Sequence, residues 1–280
     1  MKDLYATITE QSERQAASII KHLKAAGIND WADIGKERLY VFRDKALDKL
    51  ASSSARTIFA SFKAFLTRHE ESLDLPKGWR DILQAKYERA IRVYLNAGEL
   101  ERLERVAVLS IVEKTVLYDF LVSARTGMRI SDALRITEEN FVESPKGDIT
   151  LDYVSQKTSV RAQVPVSQKT KDMILWAQLN GANDISLAYY NTVLRDLCRR
   201  AGISDTVKVF RAGKTETGEK WEFVSSHTAR ISFCTNLAIA GLGVLEISRL
   251  AGHSNTTQTE KYIQKFDIEL NDAARAYLIS

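Results

Sequence analysis

His227 and Arg230 stand three residues apart where a helix-patterned segment begins, so both side chains can leave one face. Ser225 or Ser226 can cap that helix, and the free amides of its first turn favour an anion nearby. Leu250-Ala251-Gly252-His253 closes the next helical segment, with Gly252 as the turn residue. Tyr262 follows nine residues after His253, across a Thr-rich connection. Taken singly, each feature has an ordinary reading: a structural His-Arg pair, a helix cap, a packed tyrosine. Together and in this order they are far less expected by chance.

Two upstream segments add to the set. Thr126-Gly127-Met128-Arg129 is followed by Asp132, and Lys157-Thr158 precedes Val164-Pro165-Val166. In types and order these residues resemble the tyrosine recombinases, the family of phage integrases and Xer-type enzymes. That family carries Thr-Gly-x-Arg, a hairpin lysine, His-x-x-Arg, Leu-x-Gly-His and then a tyrosine about nine residues on. The motifs span 126–262, and the one departure is Asp132 where glutamate is more usual; it is expected to orient neighbouring groups. Lys169 and Lys171 compete with Lys157 for the lysine position, and the hairpin favours Lys157.

The resemblance implies attack by the Tyr262 phenol on a DNA phosphodiester and a covalent 3′-phosphotyrosyl intermediate. Arg129 and Arg230 would supply fixed donors to the non-bridging oxygens as charge grows there, and His253 would add another. A free tyrosine titrates near pH ~10, so the phenol needs a base, and His227 is the candidate. Lys157 would protonate the departing 5′ oxygen. No cofactor or metal is required, since the arginines do the work of a cation. The expected partner is double-stranded DNA, gripped by a homotetramer on two sites, with accessory DNA-bending proteins a further possibility. Integration or excision of a mobile element and resolution of DNA elements are equally compatible with the motifs.

Other classes fit less well. A type IB topoisomerase-like nicking-closing enzyme would use similar Arg, Lys and Tyr chemistry, but the Leu-Ala-Gly-His segment and bipartite plan favour recombination. A repressor or accessory binding protein has no need of the full residue set. A metal-dependent hydrolase would call for His-Glu-x-x-His or a Cys/His cluster, and neither is present.

The elements that must carry these residues are mostly helices. Ala16, Ile19, Ile20 and Leu23 form one stripe, ended by Gly27. Leu39, Phe42, Ala46, Leu47 and Leu50 form a second. Ala55, Ile58, Phe62, Phe65 and Leu66 form a third, started through the Ser52–Ser54 cap region, with Phe59 expected in the core. Val108, Val112, Val116 and Phe120 predict a buried helix up to Gly127. Ile149, Leu151 and Tyr153, then Val160, Ala162, Val164 and Val166, alternate in the manner of a β-hairpin with Lys157-Thr158-Ser159 between. Further helices are expected over 189–201, 228–240, 244–250 and 269–278. In the last, Leu270, Ala274 and Leu278 form a stripe suited to its own domain or to a neighbouring protomer.

The expected fold class is mainly α with a small antiparallel β-sheet. It comprises an N-terminal helical, SAM-like core-binding domain (1–75), a connection (76–97) and an α+β catalytic domain of tyrosine recombinase type (98–280). The chain is 45% hydrophobic and 27% charged, an ordinary globular composition, with no apolar run long enough for a membrane span. Two cysteines, Cys198 and Cys234, make no disulfide framework, and a cytoplasmic protein is expected. The net charge of +4 lies entirely in residues 1–97, which hold 17 Lys/Arg and 13 Asp/Glu. Lys45, Lys49, Arg56, Lys63 and Arg68, with only Asp48 opposing them, are the candidate phosphate-facing residues.

Overall fold

Apolar stripes at helical spacing build the first of two packing units, residues 1–90 with 210–215; the second comprises 91–209 with 216–280. The computed structural model describes residues 3–11, 16–86, 91–180, 185–211 and 214–263. In the first unit, helices α1 (Leu4–Gln11), α2 (Ala16–Ala25), α3 (Lys36–Lys49), α4 (Ser52–Arg68) and the single turn α5 (Trp79–Ile82) surround an aromatic core. Phe42 packs on Phe59 and Phe62 at 5.8 and 5.2 Å, and Trp31 stacks on Phe65 at 5.4 Å. Each such side chain contributes about 1.5–3 kcal/mol by leaving water. Gly27 ends the α2 segment with φ 73°. The N-cap of α4 is Ala51, so Ser52–Ser54 form the first helical turn instead of capping it.

The expected connection over 76–97 is largely absorbed by the two cores. Trp79, Ile82 and Leu83 are buried in the first, Val93 and Leu95 in the second.

The second unit begins with α6 (Ala97–Glu104), whose Asn96 and Glu99 form a reciprocal capping box. The Glu99 carboxylate also receives the buried Lys220 ammonium at 2.7 and 2.8 Å. Helix α7 (Ile111–Thr126) is central to this core through Val116, Leu117, Phe120 and Leu121. It starts later than the spacing of Val108 suggests: the Ser110 hydroxyl caps the Glu113 amide, leaving Val108 in the preceding segment, 37% exposed. Asp119 lies within this core. Among the described residues neither of its oxygens is hydrogen-bonded, and burial pushes its carboxyl up to about 7.

After the short α8 (Ile130–Ala133) come β1 (Phe141–Glu143), β2 (Ile149–Val154) and β3 (Arg161–Val166), an antiparallel sheet in the order 1-2-3. The expected hairpin is β2–β3, with Tyr153 opposite Ala162; β1 is an additional edge strand. Pro165 sits on β3, whose only ladder partner in this sheet is β2, so its missing N–H breaks no second ladder. Helices α9 (Gln168–Asn180) and α10 (Leu187–Arg200) follow, then the paired β4 (Thr206–Arg211) and β5 (Lys214–Glu219). Neither α9 nor the β4–β5 pair is expected from periodicity: α9 buries only Thr170, Met173, Ile174 and Ala177, and β5 is polar apart from Gly218. Helices α11 (Ser226–Ile239), α12 (Val244–Leu250) and α13 (Thr256–Tyr262) complete the described chain. The Thr-rich connection is thus largely helical: Asn255 caps α13 by accepting the Gln258 amide at 3.0 Å. The helix expected over 269–278 lies outside the described residues.

Candidate active site

Helix α11 carries both His227 and Arg230, and neighbouring helix α10 fixes where it starts. Asn191 accepts the Ser226 amide at 2.9 Å, and Arg195 donates to the Val224 carbonyl at 3.0 Å. Arg230 is buried, with three of its five N–H groups held inside the protein. Its Nε donates to His253 Nε2 at 3.2 Å, its Nη2 to the Ala251 carbonyl at 2.6 Å, and its Nη1 to the Gly127 carbonyl. Two of the five N–H groups are not used by these three bonds.

Gly127 makes this possible. Its φ of 67° ends α7 and aims its carbonyl at Arg230, and a Cβ there would stand 2.5 Å from the Phe233 ring. Arg129 follows at once, donating to Ser155 Oγ at 2.9 Å. Ser155 in turn donates to Asp132 at 3.2 Å, and Asp132 accepts the Gln156 amide at 2.9 Å. The buried Asp132 therefore ties Arg129 to the hairpin turn that bears Lys157. Lys157 itself is exposed, while Thr158 beside it donates to the Gly252 carbonyl at 3.0 Å. Lys169 and Lys171 are engaged elsewhere, with Glu104 and with Glu138 and Glu143.

The three rings meet at the end of α13. Tyr262 lies 5.0 Å from both His227 and His253, and the Arg230 guanidinium is 5.7 Å from its ring centre. Thr235 holds the Tyr262 carbonyl at 3.2 Å. His253 Nδ1 pairs with the buried Thr259 hydroxyl at 2.8 Å. Because His253 Nε2 accepts from Arg230, the ring's proton belongs on Nδ1, directed at Thr259. Burial, then the charges of Arg230 and Arg129, lower the His253 pKa to about 3. His227 is exposed at the surface, yet crowding by protein and the charges of Arg92, Arg230, Arg129 and Lys157 lower it to about 4. Both imidazoles are neutral at neutral pH, and the cations that keep His227 neutral oppose its taking a proton until an anion lies among them. Four cationic side chains act on this one place, and the buried Asp132 beside Arg129 is already bonded to the hairpin. Such an arrangement suits an anion whose charge grows during reaction. Among the described residues no group of three or more His, Cys, Asp or Glu side chains could hold a metal.

The model of the phage integrase family matches residues 94–269, more than half the chain. The chain belongs to the phage integrase family. As a tyrosine recombinase it is an enzyme that cleaves and rejoins DNA strands. Tyrosine recombinase XerD of Oceanobacillus iheyensis is 22% identical to this recombinase over 258 residues, covering 85% of this chain and 79% of the relative. The fold is shared with the XerH site-specific recombinase solved on its palindromic difH substrate in a post-cleavage complex. The TM-score is 0.65 at 14% identity, over 94% of this chain and 76% of that one. The Tn1549 transposon integrase solved with transposon right-end DNA gives 0.63 at 15% identity, over 99% and 100%.

The candidate basic residues of the recombinase's first unit lie on two helices, Lys45 and Lys49 on α3 and Arg56, Lys63 and Arg68 on α4. Lys45 donates to the Ala25 carbonyl and so caps α2. Arg56 and Lys63, two turns apart on α4, line one groove of about 630 Å³ with Ser53 and Thr57. Lys49 is exposed on α3, and Arg68 is exposed in the last turn of α4. Motif reading also missed residues that hold the site together: Ser155, Thr259 and the carbonyls of Gly127 and Ala251. Thr259, one helical turn before Tyr262, becomes legible once α13 is known to be helical; the carbonyls carry no side-chain signal at all.

Proposed function

We propose that Tyr262 is the nucleophile of this recombinase, acting on double-stranded DNA. Its Oη attacks the scissile phosphorus while the proton passes to neutral His227. The bond to the 5′ oxygen breaks, and Lys157 supplies that oxygen's proton. Arg129 and the two remaining N–H groups of Arg230 hold the non-bridging oxygens, with His253 adding a donor. The phosphotyrosyl bond conserves the energy of the phosphodiester, so a different 5′ hydroxyl can attack it and reseal the strand without ATP. The position of the Tyr262 ring between His227 and His253, against Arg230, is the observation that carries this reading.

The first unit serves as the core-binding DNA domain and the second as the catalytic domain. Arg56 and Lys63 are the best-placed phosphate contacts of the former. Strand exchange by a homotetramer on two DNA sites, helped by accessory DNA-bending proteins, is the assembly such chemistry calls for. The likeness to a transposon integrase favours a role in moving a DNA element. The test is Tyr262→Phe with a nicked duplex: covalent protein–DNA adducts disappear while duplex binding is retained. Adducts that persist would move the nucleophile elsewhere.

A further inference from the structure

Tyr153 lies on β2 with its side chain turned inward, opposite Ala162 and 4% exposed. Its hydroxyl has no hydrogen-bond partner among the described residues. A Cβ built on Gly252 would stand 3.9 Å from that oxygen, so the hydroxyl lies beneath the turn that leads into His253. The charges of Arg230, Asp132 and Arg129 all act on it. A phenylalanine would fill the same space without stranding a polar group, and a buried hydroxyl left unpaired is unfavourable. The site therefore contains an unused acceptor near two guanidinium groups, which carry only donors.

A second observation shows where such an acceptor is needed. His253 has its proton on Nδ1, while Nε2 is occupied by the Arg230 Nε–H. For His253 to donate to a phosphate, Nε2 must carry the proton. The ring then loses its Nδ1 proton to water and takes one from water at Nε2, remaining neutral. The Thr259 hydroxyl, able to donate or accept, reverses and donates to Nδ1. Arg230 Nε–H now faces a donor and requires another acceptor.

Resting on the proposed reading of this site, we propose that Tyr153 is a positioning residue whose hydroxyl accepts the Arg230 Nε–H when DNA binding turns His253 into a donor. The buried phenol makes the change of partners possible without leaving a guanidinium N–H unpaired. Its role is thus confined to the DNA-bound state.

The test uses the full chain and a nicked duplex carrying a site that the wild-type chain selects from a randomised pool. Tyr153→Phe should melt no lower than the wild type and still bind duplex, but form covalent adduct about tenfold more slowly in single turnover, the loss of one hydrogen bond to a charged group. Nitrogen NMR of His253 gives an independent readout. The wild type should move from the Nδ1–H to the Nε2–H form on DNA, and the variant should move less. An unchanged adduct rate in Tyr153→Phe, with the wild type active, would overturn the proposal and leave the assignment of Tyr262 intact. So would wild-type His253 remaining Nδ1–H on DNA. A wild-type chain that binds duplex and forms no adduct would overturn the reading of the site and this inference with it.

Discussion

At the scale of single residues, burial sets the protonation states the reaction needs. Folding lowers the His253 pKa from 6.5 to about 3, so between those values the unfolded chain binds more protons than the folded one. Stability from this residue is full above pH 6.5 and is lost as pH falls towards 3. Asp119 acts in the opposite sense. Its carboxyl rises from 3.8 to about 7, so the folded chain holds the extra proton and stability from this group declines as pH climbs through 7. Each slope is bounded by about 1.4 kcal/mol per pH unit per proton. In melting curves measured from pH 4 to 8, His253→Gln should remove a rise in stability with pH, and Asp119→Asn a fall, over the same acid interval up to about pH 7. A pH profile unmoved by either substitution would show that these groups titrate alike in the folded and unfolded chain.

At the scale of elements, the site depends on turns more than on helices. The break between α7 and α8 must place a carbonyl on Arg230 and then send Arg129 towards the hairpin, and only a residue tolerant of φ 67° does both. Gly127→Ala should lower stability by about 2 kcal/mol or more, from backbone strain and the collision with Phe233. Its cleavage rate should fall further than that of a stability-matched core variant. An unfolding midpoint in denaturant equal to wild type would mean that Phe233 yields freely. The β2–β3 turn is held in the same way, by Asp132 on one side and the Gly252 carbonyl on the other.

For the molecule as a whole, DNA affinity and chemistry are expected to separate. The excess positive charge lies in residues 1–97, while the reactive cluster belongs to the second unit. Replacing Arg56 and Lys63 together by glutamine should weaken duplex binding uniformly across sequences. It should also reduce the slope of log affinity against log salt by about 2, one for each lost phosphate contact. An unaltered slope in a salt titration would make the α4 groove an ordinary solvated surface. Adduct formation at saturating DNA should change little.

Amino-acid types and order, through their resemblance to the recombinase family, nominate Arg129, Lys157, His227, Arg230, His253 and Tyr262, because a phosphodiester reaction demands particular side chains and those are written directly in the chain. Strong periodicity likewise made the α2, α4, α12 and β2–β3 segments readable. Folding was needed to settle matters that depend on distant backbone. Tyr262 ends a helix because Asn255 caps it and Thr259 is drawn to His253, contacts that override the modest helix propensity of threonine. Lys45 caps α2 through a carbonyl twenty residues away. Arg230 is aimed by two carbonyls, and every residue has one; which of them faces a guanidinium is decided by packing between elements far apart in sequence.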